Sequence, residues 1–238
     1  MAAKSTADGR SGGRSLKVRV RTKGRRTAGS AKWLERQLND PYVAQAKREG
    51  YRSRAAYKLI EIDDRYSLLR PGMRIVDLGA APGGWAQVAA ARTGAPDGAG
   101  KVIGIDLLNI EPLPGVEFAV MDFLNENAPQ RLKDMLGGMA DGVMSDMAAN
   151  TTGHKKTDHL RIVALAELAA EFSAEVLSPG GFFIAKVFQG GTESDLLARL
   201  KRDFTAVRHV KPKASRAGSA ELYVLATGFR GGAERAAP

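Results

Sequence analysis

Cysteine is absent from the 238-residue chain. Its absence excludes disulfides, cysteine-ligated zinc, iron–sulfur clusters and a thiol nucleophile. No apolar run approaches the roughly 20 residues that a membrane-spanning helix needs. The polar, Gly/Ser/Arg-rich residues 1–14 also lack the apolar core of a secretory signal. Hydrophobic residues nevertheless make up 44% of the chain, which is enough for a folded core. We therefore expect a soluble, cytoplasmic protein.

The net charge of +10 is concentrated at the amino terminus. Residues 1–30 hold nine lysines and arginines against one acid, Asp8, whereas the other 208 residues carry 27 basic and 25 acidic side chains. Because such a segment cannot bury a core, residues 1–30 are predicted to form a flexible basic tail. Two functions remain open for this tail: it binds RNA by neutralising phosphates, or it only keeps the protein in solution.

After the tail, helical patterns precede an alternation of short apolar runs with further helical patterns. Residues 31–50 have a helical pattern that is interrupted before Pro41, and a second helix is predicted over residues 53–66 with Ser53 as its N-cap. The alternation that follows predicts a mainly parallel α/β sheet covered by helices on both faces. The predicted strands are 74–78, 102–106, 116–121, 142–145, 182–188, 206–210 and 222–226, and the predicted helices are 85–92, 129–136, 158–177 and 193–204.

The first predicted strand runs into a loop of small residues and then a helix, reading Ile-Val-Asp-Leu-Gly-Ala-Ala-Pro-Gly-Gly-Trp over residues 75–85. Small residues let the backbone approach a ligand closely, and a helix N-terminus offers free N–H groups. The loop has neither the G-x-G-x-x-G spacing of dinucleotide sites nor the Gly-Lys-Ser/Thr of a P-loop. Asp77 at its entry suits a ligand with a cationic or hydroxyl-bearing end better than a pyrophosphate.

Two further acids follow strand ends. Asp106 ends the second predicted strand, where a carboxylate typically accepts hydrogen bonds from a ribose, and Asp122 ends the third, within reach of an adenine edge. Alone, each acid is more often a helix cap or turn residue. Three acids at successive strand ends around one glycine loop favour a nucleoside ligand.

Four motifs occur in a fixed order along the chain. They are Asp-Leu-Gly-Ala-Ala-Pro-Gly-Gly-Trp at 77–85, Ser-Asp-Met-Ala at 145–148, Lys-Val-Phe-Gln-Gly at 186–190 and Ser-Arg-Ala-x-Ser-x-Glu-x-Tyr at 215–223. With them, residues 31–228 resemble the FtsJ/RrmJ family of ribosomal RNA 2′-O-ribose methyltransferases. The resemblance implies a Rossmann-like fold whose seven-stranded, mostly parallel sheet has an antiparallel last strand. Ala149, where the family commonly has proline, and a longer loop at 93–100 are two departures from the pattern.

The resemblance also implies a site. The catalytic tetrad it implies is Lys58, Asp146, Lys186 and Glu221, with Lys186 as the general base. The cofactor it implies is S-adenosylmethionine. Together with the strand-end acids, the candidate cofactor-binding residues are Asp77, Gly79, Gly83, Gly84, Trp85, Asp106, Asp122 and Asp146.

The residues themselves support the tetrad. Lys186 follows the apolar residues 182–185, and burial disfavours its ammonium form, which makes a neutral amine accessible. Asp146 and Lys186 lie at the ends of predicted parallel strands, and Glu221 begins the antiparallel one. All three therefore reach the edge of the sheet where α/β proteins bind ligands. Taken alone, a lysine near a strand end is more often structural. Asp146 and Glu221 are both expected to hold the Lys186 amine in place.

The remaining polar residues indicate fewer sites. His154, His159 and His209 show no metal-ligand spacing, so no metal is expected. Trp33 and Trp85 are interpreted as packing anchors. The basic loop 211–216 leads into Glu221, and either an RNA-phosphate contact or an ordinary exposed connection is consistent with its sequence.

The sequence therefore predicts one methyltransferase domain over residues 31–230, with an RNA-facing helical part at 31–70 and a short tail at 231–238. The expected function is S-adenosylmethionine-dependent 2′-O-methylation of a uridine in 23S rRNA of the large ribosomal subunit, by a monomer without metal or membrane. Two alternatives remain open: a 2′-O-methyltransferase of tRNA or of another rRNA site, and a non-catalytic ribosome-assembly factor. A pure binder would not need a buried lysine, which argues against the second.

Overall fold

The structure is a computed structural model of the chain, and it describes residues 34–148, 152–189, 194–216 and 218–231. The predicted basic tail, Trp33, Ala149 and most of the carboxy-terminal tail lie outside these residues. Contacts divide the chain into two units, Met1–Ala44 and Gln45–Pro238. Residues 34–38 are helical, and helix α1 then begins at Pro41 and ends at Glu49, so the predicted interruption before Pro41 is confirmed.

The alternation of strands and helices after α1 follows the predicted pattern. The helices are α2 (Ala55–Tyr66), α3 (Gly84–Thr93), α4 (Ala128–Leu136), α5 (Lys155–Val176) and α6 (Ser194–Asp203), with a 3₁₀ turn at Ala95–Asp97. The strands are β1 (Arg74–Leu78), β2 (Lys101–Asp106), β3 (Val116–Val120), β4 (Ala140–Ser145), β5 (Leu177–Phe188), β6 (Phe204–Val210) and β7 (Glu221–Phe229). None of the described helices is both long and apolar enough to span a bilayer.

The seven strands form one sheet in the order β3-β2-β1-β4-β5-β7-β6. Strands β1 to β5 pair in parallel, whereas β7 runs antiparallel to both β5 and β6. The predicted seven-stranded sheet with an antiparallel last strand is therefore confirmed. The strand order reverses between β1 and β4, and the carboxyl ends of these strands border the crevice where open α/β sheets bind ligands.

Helices cover both faces of the sheet, because successive side chains of a buried strand point to opposite faces. In β5, Phe183 belongs to the core that packs under α4, α5 and α6, and the next residue, Ile184, belongs to the core under α2 and α3. Both side chains are fully buried. Strands buried on both faces read as continuous apolar runs, which is why residues 182–185 of β5 carry no alternating pattern.

The start of α2 differs from the prediction. The helix begins at Ala55, and no side chain caps it. The hydroxyl of Ser53 instead lies against the first turn of α3, where a Cβ added to Gly84 would come within 2.3 Å of it. The predicted N-cap role of Ser53 is wrong because packing between α2 and α3 takes up its side chain.

We expect Phe183→Ala to lower the free energy of unfolding by about 3–5 kcal/mol, because it opens a cavity in a fully buried position of a central strand. Urea denaturation followed by circular dichroism measures this loss. The matched control is Val120→Ala on edge strand β3, where the side chain is 60% exposed and the change should be much smaller. Equal losses in the two variants would contradict the assigned core.

Candidate active site

Asp146 and Lys186 meet at the carboxyl ends of two neighbouring strands. Asp146 follows β4 directly, and Lys186 lies near the end of β5, which pairs in parallel with β4. The Lys186 ammonium nitrogen Nζ donates to the Asp146 carbonyl oxygen at 2.6 Å and to its carboxylate Oδ1 at 3.1 Å. Lys186 is only 7% exposed, as its apolar flanks predict. A buried amine is thus held by two oxygens of one residue.

A second lysine approaches the same carboxylate from the helix layer. Helix α2 buries Lys58, whose Nζ lies 3.3 Å from Asp146 Oδ2 and 2.9 Å from Glu221 Oε1. Glu221 begins β7 and so joins the cluster from the antiparallel strand. The structure therefore brings together all four residues of the expected tetrad.

One expected contact within the tetrad is different in the structure. Glu221 pairs with Lys58 and not with Lys186, so its expected role in holding the Lys186 amine is wrong. The register of the antiparallel pair explains the difference, because Lys186 lies opposite Tyr223, whereas Glu221 lies opposite Phe188. Among the described residues, the hydrogen bonds and the ion pair of the Lys186 amine all go to Asp146.

The fully buried Tyr223 completes the cluster, and the sequence reasoning assigned it no role. Its hydroxyl donates to Asp146 Oδ1 at 2.6 Å, its ring lies 5.4 Å from that of Trp85, and the Lys58 ammonium lies 5.6 Å from its ring centre. The sequence contained a signal that Tyr223 joins the cluster, because the Glu-x-Tyr spacing in a strand places Glu221 and Tyr223 on the same face.

The charges around Asp146 decide its ionisation. Burial alone would raise the pKa of this carboxyl, but the positive charges of Lys186 and Lys58 and the hydrogen bond from Tyr223 hold the pKa of Asp146 below its ordinary value. The Tyr223 hydroxyl has a raised pKa because it is buried beside the Asp146 and Glu221 carboxylates. At neutral pH the cluster therefore contains an ionised Asp146 and a protonated Tyr223.

Beside the cluster lies a cavity of about 480 Å³, within the range of small-molecule sites. Apolar side chains form most of its wall, and the polar groups come from three strand ends. Asp146 lies in this wall, so the cavity opens directly onto the tetrad. The lining residues that the sequence reasoning had singled out are Gly79, Asp106, Asp122 and Asp146.

Backbone amides fix the two other carboxylates of the cavity. Asp106 accepts hydrogen bonds from the N–H of Ala81 through Oδ2 at 3.0 Å and from that of Leu108 through Oδ1 at 2.9 Å. Asp122 Oδ1 accepts from the N–H of Leu124 at 2.9 Å. Carboxylate oxygens have two lone pairs each, so both groups retain acceptor capacity towards the cavity.

Gly79 leaves room in the cavity wall at the end of β1. Its φ of +71° is in the left-handed region, and an added Cβ would lie 2.3 Å from Met147 Cγ. Any larger residue at this position would therefore collide with the segment that carries Asp146. The glycine lets the ends of β1 and β4 approach each other.

The other candidate cofactor residues lie behind the cavity wall. Trp85 is buried, and its ring nitrogen donates to the Ala55 carbonyl at 2.9 Å, which agrees with a packing anchor. Gly83 and Gly84 form the start of α3, close to the side chains of Arg52 and Ser53. None of the three belongs to the cavity lining. Only their backbone groups at the helix start remain candidates for ligand contacts.

Asp77 is also placed behind the wall. It is 1% exposed, and its carboxyl accepts a hydrogen bond from the N–H of Ala86 in the first turn of α3. Its second oxygen, Oδ2, has no hydrogen-bond partner among the described residues. Burial, and then the nearby negative charge of Asp146, raise the pKa of Asp77 well above its ordinary value. In this position Asp77 caps α3 instead of facing the cavity.

The described residues contain no cluster of His, Asp or Glu with the arrangement of a metal site. His154 precedes α5 and His159 lies in its first turns, whereas His209 lies in β6. The ionisable side chains of the cluster are those of Lys58, Lys186, Asp146, Glu221 and Tyr223.

The chain is similar to several ribosomal RNA methyltransferases, and residues 51–229 match the family of FtsJ-like methyltransferases. Ribosomal RNA large subunit methyltransferase E of Xanthobacter autotrophicus is 72% identical over 224 residues, which cover 94% of this chain and 88% of that protein. The protein of the same name from Azorhizobium caulinodans is 68% identical over 222 residues, covering 93% and 92%. A crystal structure of a ribosomal RNA methyltransferase from Plasmodium falciparum aligns with a TM-score of 0.68 and 35% identity, covering 76% of this chain and 100% of that one.

We expect Asp77→Asn to gain stability relative to the parent protein as the pH rises. Above the ordinary carboxyl pKa of 3.8 the unfolded chain loses this proton, whereas the folded protein keeps it until its raised pKa, so the parent loses stability as the pH increases. Asparagine keeps an acceptor for Ala86 and has no proton to lose. Urea unfolding at about pH 5 and about pH 8 measures the difference.

Asp97→Asn is the matched control, because it removes an exposed carboxyl from the 3₁₀ turn between α3 and β2. If the stability of Asp77→Asn relative to the parent is the same at both pH values, Asp77 is ionised in the folded protein and the assignment is wrong.

Proposed function

The chain belongs to the family of FtsJ-like methyltransferases, and we propose that it transfers a methyl group from S-adenosylmethionine to the 2′-hydroxyl of a uridine in 23S rRNA of the large ribosomal subunit. The observation that carries the proposal is the buried amine of Lys186, held by Asp146 at the mouth of a cavity with carboxylates at its wall. The printed names of the most similar relatives, ribosomal RNA large subunit methyltransferase E, support the rRNA substrate.

The cavity is lined by the kinds of group that bind S-adenosylmethionine, an apolar surface and carboxylates that accept hydrogen bonds. Its apolar wall suits an adenine ring, and the Asp106 carboxylate, fixed by two backbone amides, suits the two hydroxyls of a ribose. In our proposal, Asp122 accepts a hydrogen bond from the adenine edge. Asp146 lies in the wall on the side of the tetrad, where a carboxylate favours a cationic sulfonium or ammonium group. The residues present therefore fit the cofactor.

A ribose hydroxyl is a very weak acid, so its methylation needs a base and accurate placement. When bound, S-adenosylmethionine supplies an electrophilic methyl group on a positively charged sulfur, and this chemistry needs no metal. The base must remove the hydroxyl proton while the oxygen forms its bond to the methyl carbon and the carbon–sulfur bond breaks. In our proposal this proton passes to Nζ of Lys186.

The proposed reaction needs Lys186 as a neutral amine, and its two hydrogen bonds serve that form as well as the ammonium described above. A neutral amine has two N–H donors and one lone pair, and the structure offers two acceptors, the carbonyl oxygen and Oδ1 of Asp146. With both donors used, the lone pair is left to accept the proton of the 2′-hydroxyl. After the transfer, the ammonium that forms is stabilised by the adjacent ionised carboxylate.

Lys58 and Glu221 are the other charged groups of the cluster around the proposed base. The Lys58 ammonium lies 3.3 Å from Asp146 Oδ2, so both lysines contact the same carboxylate. Glu221 pairs with Lys58 and fixes its position. Lys58 thus helps to hold Asp146 in place, and Asp146 orients the Lys186 amine.

We expect Asp106→Ala to weaken S-adenosylmethionine binding by roughly 10- to 150-fold, the equivalent of about 1.5–3 kcal/mol for a charge-assisted hydrogen bond. Isothermal titration calorimetry measures the dissociation constant. Asp97→Ala, which removes an exposed carboxylate outside the cavity, is the control and should bind as the parent does. An unchanged dissociation constant for Asp106→Ala would remove this residue from the cofactor site.

We expect Lys186→Arg to slow methyl transfer by roughly 10²- to 10⁴-fold, because guanidinium keeps its proton at any workable pH and cannot act as the base. Single-turnover transfer of labelled methyl groups to large ribosomal subunits that lack the modification measures this rate, and mapping the methylated position identifies the nucleotide. The affinity for S-adenosylmethionine should change little.

Two results would contradict the proposal in different ways. An arginine variant within about threefold of the parent rate, with the same pH profile, would leave Lys186 as an electrostatic contact and not a base. A parent protein that methylates tRNA or another rRNA position instead of the expected uridine would change the substrate but not the chemistry.

A further inference from the structure

A group of exposed basic side chains lies along edge strand β6, outside the site described above. Arg208 of β6, Lys211 and Lys213 of the loop that follows it, and Arg65 of α2 are all exposed. No described carboxylate forms an ion pair with any of them. We call these four side chains, together with Tyr66, the β6 edge surface.

Tyr66 orders the two arginines of this surface. The Arg65 guanidinium lies 5.1 Å from the centre of the Tyr66 ring and the Arg208 guanidinium lies 5.3 Å from it, both within cation–π distance. Guanidinium groups that are already positioned lose less side-chain entropy when they bind. Their planar donors match the geometry of phosphate oxygens.

The loop that carries the two lysines is held in place by α2. The Glu61 carboxylate accepts hydrogen bonds from the N–H groups of Lys213 and Ala214, and Arg54 donates to the carbonyl of Ala214. Ala214 is buried, whereas Lys213 points to solvent. The Lys211 ammonium donates to the carbonyl of Ser219 at 2.7 Å, which closes the loop. The lysines therefore extend from a backbone with a defined position.

The same loop connects this surface to the tetrad. The buried Ser215 donates to Glu221 Oε1 at 2.8 Å, and this oxygen pairs with Lys58. Ser215 follows Lys213 by two residues, so their Cα atoms are at most about 7 Å apart. A ligand held at Lys213 would thus lie next to the catalytic edge of the sheet.

The composition of the surface favours a nucleic acid over a protein partner. Protein interfaces have an apolar centre, whereas the side chains exposed here are charged and Tyr66 is half-buried. The large exposed apolar residues of the described chain lie elsewhere, among them Leu107, Leu108 and Val120 near β2 and β3. Charged side chains without an apolar centre are typical of surfaces that bind a phosphate backbone.

We propose that the β6 edge surface binds backbone phosphates of the RNA substrate beside the nucleotide that is methylated. The identity of the RNA rests on the proposed function, but the phosphate contacts do not depend on the chemical step. In this arrangement the surface supplies affinity and register, and the tetrad supplies the reaction.

The test is the salt dependence of RNA binding by the full chain. For the triple variant Arg65→Ala/Arg208→Ala/Lys213→Ala, the slope of log affinity against log salt concentration should become less steep by about 2–3 units, because each lost phosphate contact removes roughly 0.7–0.9. Fluorescence titration of a 23S rRNA transcript at several salt concentrations measures the slope. Calorimetric binding of S-adenosylmethionine, at the parent affinity, shows that the variant is folded.

The matched control is Arg131→Ala/Lys133→Ala/Lys201→Ala, which removes the same charge from α4 and α6 on the opposite face of the sheet. Its slope should stay close to that of the parent. Equal slopes for the two triple variants would overturn the proposal, since net charge alone would then explain the change. Tyr66→Leu keeps every charge and should still weaken binding about two- to fivefold through loss of the cation–π contacts.

Measuring RNA binding and methyl transfer separately distinguishes a failure of this proposal from a failure of the proposed function. A parent protein that binds the transcript with the expected slopes but transfers no methyl group would refute the proposed function and leave the surface intact. A folded triple variant with the parent's slope and the parent's methyl transfer would refute the surface alone.

Discussion

The Asp146 carboxylate between two buried ammonium groups is the interaction on which the rest of the site depends. Lys186 and Lys58 both lie within 3.3 Å of its oxygens, and neither lysine is more than 8% exposed. An unpaired charge in such a place would be costly, so the carboxylate makes the burial of both amines tolerable. The Tyr223 hydroxyl adds a third donor and fixes the carboxylate. In the proposed reaction, this carboxylate also orients the Lys186 amine.

The topology of the sheet brings these groups together. Strand β4 lies next to the point where the strand order reverses and is followed directly by Asp146, and its neighbour β5 carries Lys186. Strand β7 runs in the opposite direction, so its first residue, Glu221, reaches the same edge as the ends of the parallel strands. The cavity is lined mainly by residues at or after the ends of β1, β2, β3 and β4, and Asp146 is one of them. One carboxylate therefore belongs both to the cavity wall and to the cluster of charged groups.

Much of the fold could be predicted from local sequence. The strands of the central sheet are apolar runs bounded by turns, and all seven occur where they were expected. Most of them extend beyond the predicted residues, β5 by five residues at its start and β7 by three at its end. Strand ends are harder to predict, because hydrogen bonds to a neighbouring strand extend a strand beyond its apolar core. The prediction that Ser53 caps α2 was wrong for a similar reason, since the packing of Ser53 against Gly84 outweighs its capping preference.

The sequence by itself determined the order of elements, the burial of Lys186 and the residue types that meet at the sheet edge, because these follow from hydrophobic pattern and from the motifs. Only the tertiary structure decided which group each side chain contacts. Glu221 pairs with Lys58, Tyr223 holds Asp146, and Asp77 caps α3 behind the cavity wall. These pairings depend on strand register and on the position of α2 over the sheet. Both arise from packing between segments far apart in the chain, which no local pattern encodes.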